Sequence, residues 1–496
     1  MLQLPNTRYS GLALATLLGA LSPTTSASEM FAKDSKWMLG DWGGTRSELL
    51  ERGYDFTLGY TGEMGSNLHG GYSHDRAVRY SDQFTFGVNM DLQKILGWHD
   101  TEVQLTVTER HGNNISNDRI NDPRVGGFTS AQEVWGRGQT WRLTQMWIKQ
   151  KYFDGALDVK FGRFGEGEDF NSFPCDFQNL AFCGSQVGNW VGGIWYNWPV
   201  SQWALRVRYN LNEALYAQVG VFEQNPSNLE SGNGFKLSGS GTQGAVMPIE
   251  LVWSPRVNGL KGEYRAGYYY SNAKAQDVLK DSNGTPAAIS GAAYRSSSSK
   301  HGLWLGAQQQ VTALAAGYSN AKAQDVLKDS NGTPAAISGA AYRSSSSKHG
   351  LWLGAQQQVT ALASDQSRGL SLFANATVHD KKTNAIDNYV QAGVVYKGPF
   401  DARAKDDIGF ALARVHVNPG YRKNARLINQ ANSLDNYDNP GFLPVQDTEY
   451  SAELYYGIHL ADWLTVRPNL QYIRHPGGVS RVDDALIGGL KIQSTF

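Results

Sequence analysis

Sixteen segments of this chain alternate, residue by residue, between apolar and polar side chains. Such a period of two places neighbours on opposite faces of a strand, so each segment reads as a strand with one oily and one wet side. In the segment 484–496, Leu486, Leu490, Ile492 and Phe496 share one face with Gly488 and Ser494, while Ile487, Gly489, Lys491, Gln493 and Thr495 share the other. The remaining segments fall near 54–66, 79–92, 101–111, 140–153, 155–164, 201–210, 214–223, 246–254, 261–272, 301–314, 368–379, 386–396, 405–418, 447–460 and 463–474. An even number of one-sided strands suits a closed barrel in lipid, where an open edge would leave backbone groups unpaired. The expectation is an all-β, transmembrane antiparallel β-barrel of sixteen strands.

The links between segments sharpen this reading. Phe153-Asp154-Gly155, Asn210-Leu211-Asn212-Glu213 and Ala461-Asp462-Trp463 are short, whereas 111–139, 165–200, 223–245, 272–300 and 419–446 are long. Alternating short and long links predicts periplasmic turns and extracellular loops, a segregation that a soluble sandwich has no reason to adopt. The alternation also sorts side chains. Val103, Leu105 and Val107 should meet lipid while Glu102, Gln104, Thr106, Thr108 and Arg110 face the lumen. Leu205, Val207 and Tyr209 should likewise oppose Arg206 and Arg208. Charges of both signs therefore line the expected interior.

Residues 1–27 carry one basic residue, Arg8, then an apolar stretch from Gly11 to Leu21 and small residues through Ala27. That is the pattern of a secretory signal peptide, with an apolar part too short to span a bilayer as a helix. Residues 28–53 form an amino-terminal periplasmic segment, and 54–496 the barrel. Mean hydropathy is −0.42, as a barrel with a polar lumen allows. Lys and Arg together number 45, equal to Asp and Glu. Neither that balance nor any basic run points to nucleic acid.

An exact internal repeat interrupts the pattern: 270–315 recurs as 318–363, 48 residues further on. Each copy carries a loop followed by the strand His-Gly-Leu-Trp-Leu-Gly-Ala-Gln-Gln-Gln-Val. Adding the second copy to the wall would make eighteen strands, but Val311 to Ala323 lacks a good turn. Extrusion of one copy as an oversized loop is the expected outcome.

Ahead of the first strand stands Gly40-Asp41-Trp42-Gly43-Gly44-Thr45-Arg46-Ser47-Glu48-Leu49-Leu50, ending at Gly53. Thr45 and Glu48 form a capping-box pattern and Gly53 suits the residue after a helix, so a short periplasmic helix is expected. The Gly-Asp-Trp-Gly-Gly-x-Arg pattern is similar to the amino-terminal signature of the carbohydrate-selective porins, the OprB family. The resemblance runs on through Val159–Phe164 and Glu168-Asp169-Phe170 to Phe496, and the exact duplication departs from it. It implies a sixteen-stranded channel for glucose and related sugars in the bacterial outer membrane. It also implies that a terminal Phe helps the barrel-assembly machinery recognise the chain.

The loop 165–200 is the expected constriction. Cys175 and Cys183 are the only cysteines of an exported chain, so a disulfide is expected to hold this loop in one shape. Two unpaired thiols would need a reducing compartment, and zinc lacks further cysteine ligands nearby. Sugar hydroxyls both donate and accept, so carboxylates, amides and Arg forks can replace their water, and aromatic faces can cover C–H patches. The candidate contacts are Glu166, Glu168, Asp169, Asn171 and Trp190 from the loop, with Arg110, Arg163, Arg206 and Arg208 from the wall. Binding should be weak, because a channel must release what it admits.

A general diffusion porin for small hydrophilic solutes is the alternative with the same architecture. An enzyme is not expected, since the ten His are scattered and no nucleophile or metal motif stands out. No cofactor is expected either, and Ca²⁺ on the loop carboxylates lacks defined ligand spacing. Outer-membrane lipid is an expected partner, and a homo-oligomer remains open.

Overall fold

The computed structural model describes residues 30–190, 193–257, 260–261, 263–272, 275–281, 294–297, 300–308, 351–379 and 384–496. The signal-peptide reading at 1–27 falls outside them. The wall strands are β1 (Tyr54–Gly71), β2 (Val78–Asp91), β3 (Thr101–Gly112), β4 (Trp141–Tyr152), β5 (Leu157–Phe164) and β6 (Gln202–Asn212). They continue as β7 (Leu215–Gln224), β8 (Gly244–Trp253), β9 (Glu263–Ser271), β10 (Lys300–Gln308), β11 (Leu351–Gln358) and β12 (Gly369–Val378). The last five are β13 (Ile386–Lys397), β14 (Asp407–Val417), β15 (Thr448–Ala461), β16 (Leu464–Arg474) and β17 (Asp483–Thr495).

Apart from β10 and β11, successive strands pair antiparallel, and β17 returns to β1 with Gly62 opposite Ile492. The wall is thus a nearly closed antiparallel barrel of sixteen alternating positions. The tenth position is claimed twice. β10 pairs with β9, β11 pairs with β12, and both run opposite to β1. The expected extrusion does not occur at the level of the strands, because both copies lie in the sheet. Identical sequences have identical pairing preferences, so each copy captures one of the two neighbours.

The predicted faces are those observed. Leu105, Leu205, Tyr209 and Leu454 are exposed on the outer wall, while Thr106, Thr108, Arg206 and Glu453 are buried within. No helix among the described residues is long and apolar enough to cross a membrane; the strands supply the crossing. The turn from β4 to β5 takes positive φ at Phe153 (55°), Asp154 (53°) and Gly155 (84°), the left-handed backbone that tight hairpins use.

The periplasmic helix spans Thr45–Glu51 and ends as expected, with Gly53 in the left-handed region at φ 99°. Its start differs from the capping-box reading. Gly44 occupies the cap position, Thr45 lies inside the helix, and Asp41 Oδ1 accepts from the Ser47 amide at 2.8 Å. Two glycines with positive φ, Gly43 and Gly44, turn the chain so that Asp41 reaches the orphan donors from outside the helix.

Arg46, on this helix, closes the barrel's periplasmic seam. Its guanidinium donates to the Phe496 carbonyl at 2.6 Å and to the Phe56 carbonyl at 2.5 Å. The same group lies 4.0 Å from the Trp37 ring and 5.0 Å from the Trp42 ring. The signature motif therefore joins the first strand to the last.

Candidate channel constriction

Three clusters of apolar residues sit inside the barrel, where a water-filled pore has no use for them. Each marks a docked loop. Phe170, Val187, Ile194 and Trp195 of the loop 165–201 pack on Trp147, Phe164, Phe222 and Tyr269 of the wall. Phe177, Ala181 and Phe182 of the same loop pack on Phe373, Tyr389, Ala411, Val415 and Tyr455 across the barrel. Ile115, Ile120 and Ala131 of the loop 113–140 pack on Ile473, Ala485 and Ile487. The first loop thus crosses the lumen from the β5–β9 side to the β12–β15 side, and the second covers the seam.

Polar anchors fix both crossings. Glu453 accepts from the Gln178 and Asn179 amides at 2.8 and 2.7 Å. Gln178 Nε2 donates to the Met64 and Ala131 carbonyls at 3.0 and 2.9 Å. Lys491, 1% exposed, reaches Glu133 at 3.1 Å, Glu63 at 3.4 Å and the Phe177 carbonyl at 3.1 Å. Cys175 and Cys183 are disulfide-bonded, with Cα atoms 4.3 Å apart, beside these anchors. Buried ionic groups survive here because every charge has a partner.

The nine candidate contact residues divide into three groups. Glu168, Asp169, Arg206 and Arg208 are brought together around a residue that the sequence reading passed over, Lys160. Its ammonium lies 2.5 Å from Glu168 and 2.9 Å from Asp169, and Arg206 and Arg208 approach Asp169 at 3.7 and 3.9 Å. Arg206 also pairs with Asp158 at 2.7 Å, and Arg208 lies over the Tyr216 ring at 4.4 Å.

The second group is built into the loop framework. Glu166 is fully buried and accepts from the Tyr196 amide at 2.9 Å. Asn171, also fully buried, takes φ 52°, and its amide donates to Glu250 at 3.2 Å. Trp190 packs on Tyr389 with ring centroids 4.7 Å apart and the rings tilted by 38°. Arg163 donates to the Ser201 carbonyl at 2.6 Å and to that of Lys236, linking two loops.

Arg110 stands apart, on β3. It donates to Gln83 at 2.8 Å and lies in the field of Glu133, Glu63 and Arg137. Glu133 and Arg137 come from the loop 113–140, so the constriction draws on a second loop besides the expected 165–200. Arg137 has no ion-pair partner among the described residues.

A run of neutral side chains also lies on the inner face of β1–β4. Asn89 donates to Gln104 at 3.0 Å, Gln104 to Thr106 at 2.9 Å, and Thr106 to Gln145 at 2.6 Å. Register places Thr61 opposite Gln83 and Thr85 opposite Gly59 on the same inner face. Aromatic residues on lumen-facing parity, such as Phe222, Phe373, Tyr389 and Tyr455, were the sequence signal for loop docking. A pore lining has no reason to be aromatic there unless something covers it.

At the extracellular rim Asp122 joins the loop 113–140 to the loop 418–447. It lies 2.6 Å from Arg124 and accepts from the Tyr437 hydroxyl at 2.6 Å. Burial opposes its ionisation, but these hydrogen bonds outweigh burial and hold the carboxyl below its ordinary range.

A nearly closed antiparallel barrel narrowed by an inward-folded, disulfide-pinned loop is the architecture of a porin. The carbohydrate-selective porin, OprB family model matches residues 75–317 and 312–496, and the chain belongs to that family. It is 60% identical over 494 residues to Porin B of Pseudomonas aeruginosa, covering 99% of this chain and 98% of that one. It is 36% identical over 494 residues to the putative porin QuiX of Acinetobacter baylyi, covering 98% of each. The high-pH structure of Pseudomonas putida OprB superposes with a TM-score of 0.82 at 65% identity, over 94% of this chain and all of that one. The protein is an outer-membrane carbohydrate porin.

Proposed function

We propose that the channel passes glucose and similarly sized sugars by passive diffusion, past a constriction formed by both folded-in loops. Arg110, Glu133 and Arg137 form its upper part, and Glu168 and Arg208 its lower part. Asp169 and Arg206 act as the charged frame behind them. The observation that carries this reading is the pairing of a mixed-sign charge cluster with a run of neutral amides and hydroxyls on β1–β4. A sugar exchanges its water for forked donors and for amides and hydroxyls, with no net charge to discharge. Carboxylates interleaved among the cations let a polyol satisfy both signs at once. Residence stays short because each contact replaces a hydrogen bond to water that the solute already had.

Single-channel current through the refolded protein during glucose titration tests this reading. Saturable reduction of ion current, with little effect from a non-sugar solute of similar size, is the expected result. Open pores without solute-specific block would identify a general diffusion porin instead. Within the site, Arg137→Gln and Glu133→Gln should each weaken glucose block without closing the pore, while equal block in variant and parent would remove that residue from the contact set.

A further inference from the structure

At the extracellular ends of β2 and β3, an open groove of about 680 Å³ lies beside the loop 113–140, with Val78, Tyr80 and His111 on the outward-facing parity of the wall that Leu105 and Val107 share. None of the residues assigned above to the constriction lines it. Tyr80, His111, Asn113, Asn117, Asp118 and Trp135 do. The side chains of His111, Asn113, Asn117 and Trp135 make no hydrogen bond to another described residue. His111, Asn113 and Asn117 are exposed, and Trp135 is half-buried. The loop is nevertheless firmly held at this place. The Asn113 amide donates to the Tyr80 carbonyl at 2.8 Å, and Gln132 Nε2 donates to Ser81 Oγ at 2.8 Å. A rigid frame thus presents two carboxamides, an imidazole and an indole N–H to one open space.

Charge selects the class of ligand. Asp118 is paired with Arg79, and lies 3.4 Å from Arg119. An anion entering the groove meets the carboxylate, and a cation meets the two guanidinium groups. A neutral molecule rich in hydroxyls meets neither penalty. It can use each free amide as donor and acceptor, and its C–H face can lie on an aromatic ring. The volume falls in the range of small-ligand sites, about 300–1,000 Å³.

We propose that this groove is an extracellular capture site for a neutral saccharide, on the rim of the barrel. The proposal rests on the sugar-porin reading and adds a second site to it. Weak capture at the mouth raises the local sugar concentration and so speeds entry, without lengthening the stay at the constriction.

The test uses oriented single channels in phosphatidylcholine bilayers, with glucose on one side at a time. In the parent, blocking events should begin several-fold more often from the extracellular side. The double variant Asn113→Ala/Asn117→Ala should lose that preference while conductance and the duration of each block stay as in the parent. A parent blocked by glucose whose extracellular preference survives the double substitution overturns the capture site and leaves the sugar-porin reading intact.

A parent never blocked by glucose sinks the constriction reading instead. The groove is then judged by glucose titration of the fluorescence difference between parent and Trp135→Phe. A saturable change that the double variant lacks supports the site, and no change overturns it. Adding lipopolysaccharide to the outer leaflet separates two sources of saccharide. Persistence of the extracellular preference assigns the groove to free sugar. Its disappearance shows the lipid's own glycan in the groove and overturns the capture of free sugar.

Discussion

Replacing Glu453 should release the tip of the inner loop from the far wall. Its two carboxylate oxygens receive the Gln178 and Asn179 amides at 2.8 and 2.7 Å, and the side chain is 1% exposed. Hydrogen bonds to a charged group are each worth about 1.5–3 kcal/mol, so Glu453→Ala removes about 3–6 kcal/mol of anchoring. Lumen water can reach the freed amides, which places the net loss near the lower end, about 3 kcal/mol. At about 1.4 kcal/mol per decade, the undocked population of residues 175–183 rises roughly a hundredfold. The disulfide, Lys491 and the Phe177–Tyr455 contact at 4.9 Å remain, so the barrel itself should fold. Planar-bilayer recordings should show increased current noise, and liposome swelling should admit trisaccharides that the parent excludes. Glu453→Gln keeps one acceptor oxygen and should lie between the two. A folded Glu453→Ala variant with the parent's noise and size cut-off would refute the claim that this carboxylate holds the constriction in place.

Three further outcomes follow from named contacts. Arg46→Ala removes two charge-assisted hydrogen bonds and two ring contacts at the seam, together about 4–8 kcal/mol. Its unfolding temperature on heat-modifiable gels should fall, and Arg46→Lys should not restore it, because an ammonium cannot fork to two carbonyls while stacking between indoles. The Asp122 carboxyl is held below its ordinary range, so its pin between two extracellular loops is complete above that range and is lost as pH falls through the depressed value. Loop protection in hydrogen exchange should therefore drop on acidification below about pH 4, and Asp122→Asn should show the same loss at neutral pH. Deleting 318–365 removes one repeat period and β11 with it, leaving β10 to pair on both sides at the tenth position; loss of heat-modifiable migration in that deletion would show that both copies are needed.

The sequence by itself determined the barrel. Alternation such as Leu205, Val207 and Tyr209 against Arg206 and Arg208 is a local property of each strand, and lipid outside with water inside leaves a single orientation for it. The Cys175–Cys183 link was equally legible, since an exported chain with two cysteines has one pairing to make. The helix end at Gly53 was readable from its residue type, but the helix start was not, because Asp41 acts through a turn made by two glycines.

Tertiary structure alone decided how the lumen is divided. Glu166 and Asn171 are as polar as Glu168, yet they lie wholly buried between the loop and the wall while Glu168 reaches Lys160. That outcome depends on where the loop lands, and its landing points, Phe222, Phe373, Tyr389 and Tyr455, come from strands far along the chain. Lys160, Glu133 and Arg137 gained their places for the same reason. A strand's period says which side a residue faces, but only the packing of loop on wall decides which inward-facing groups stay open to a solute.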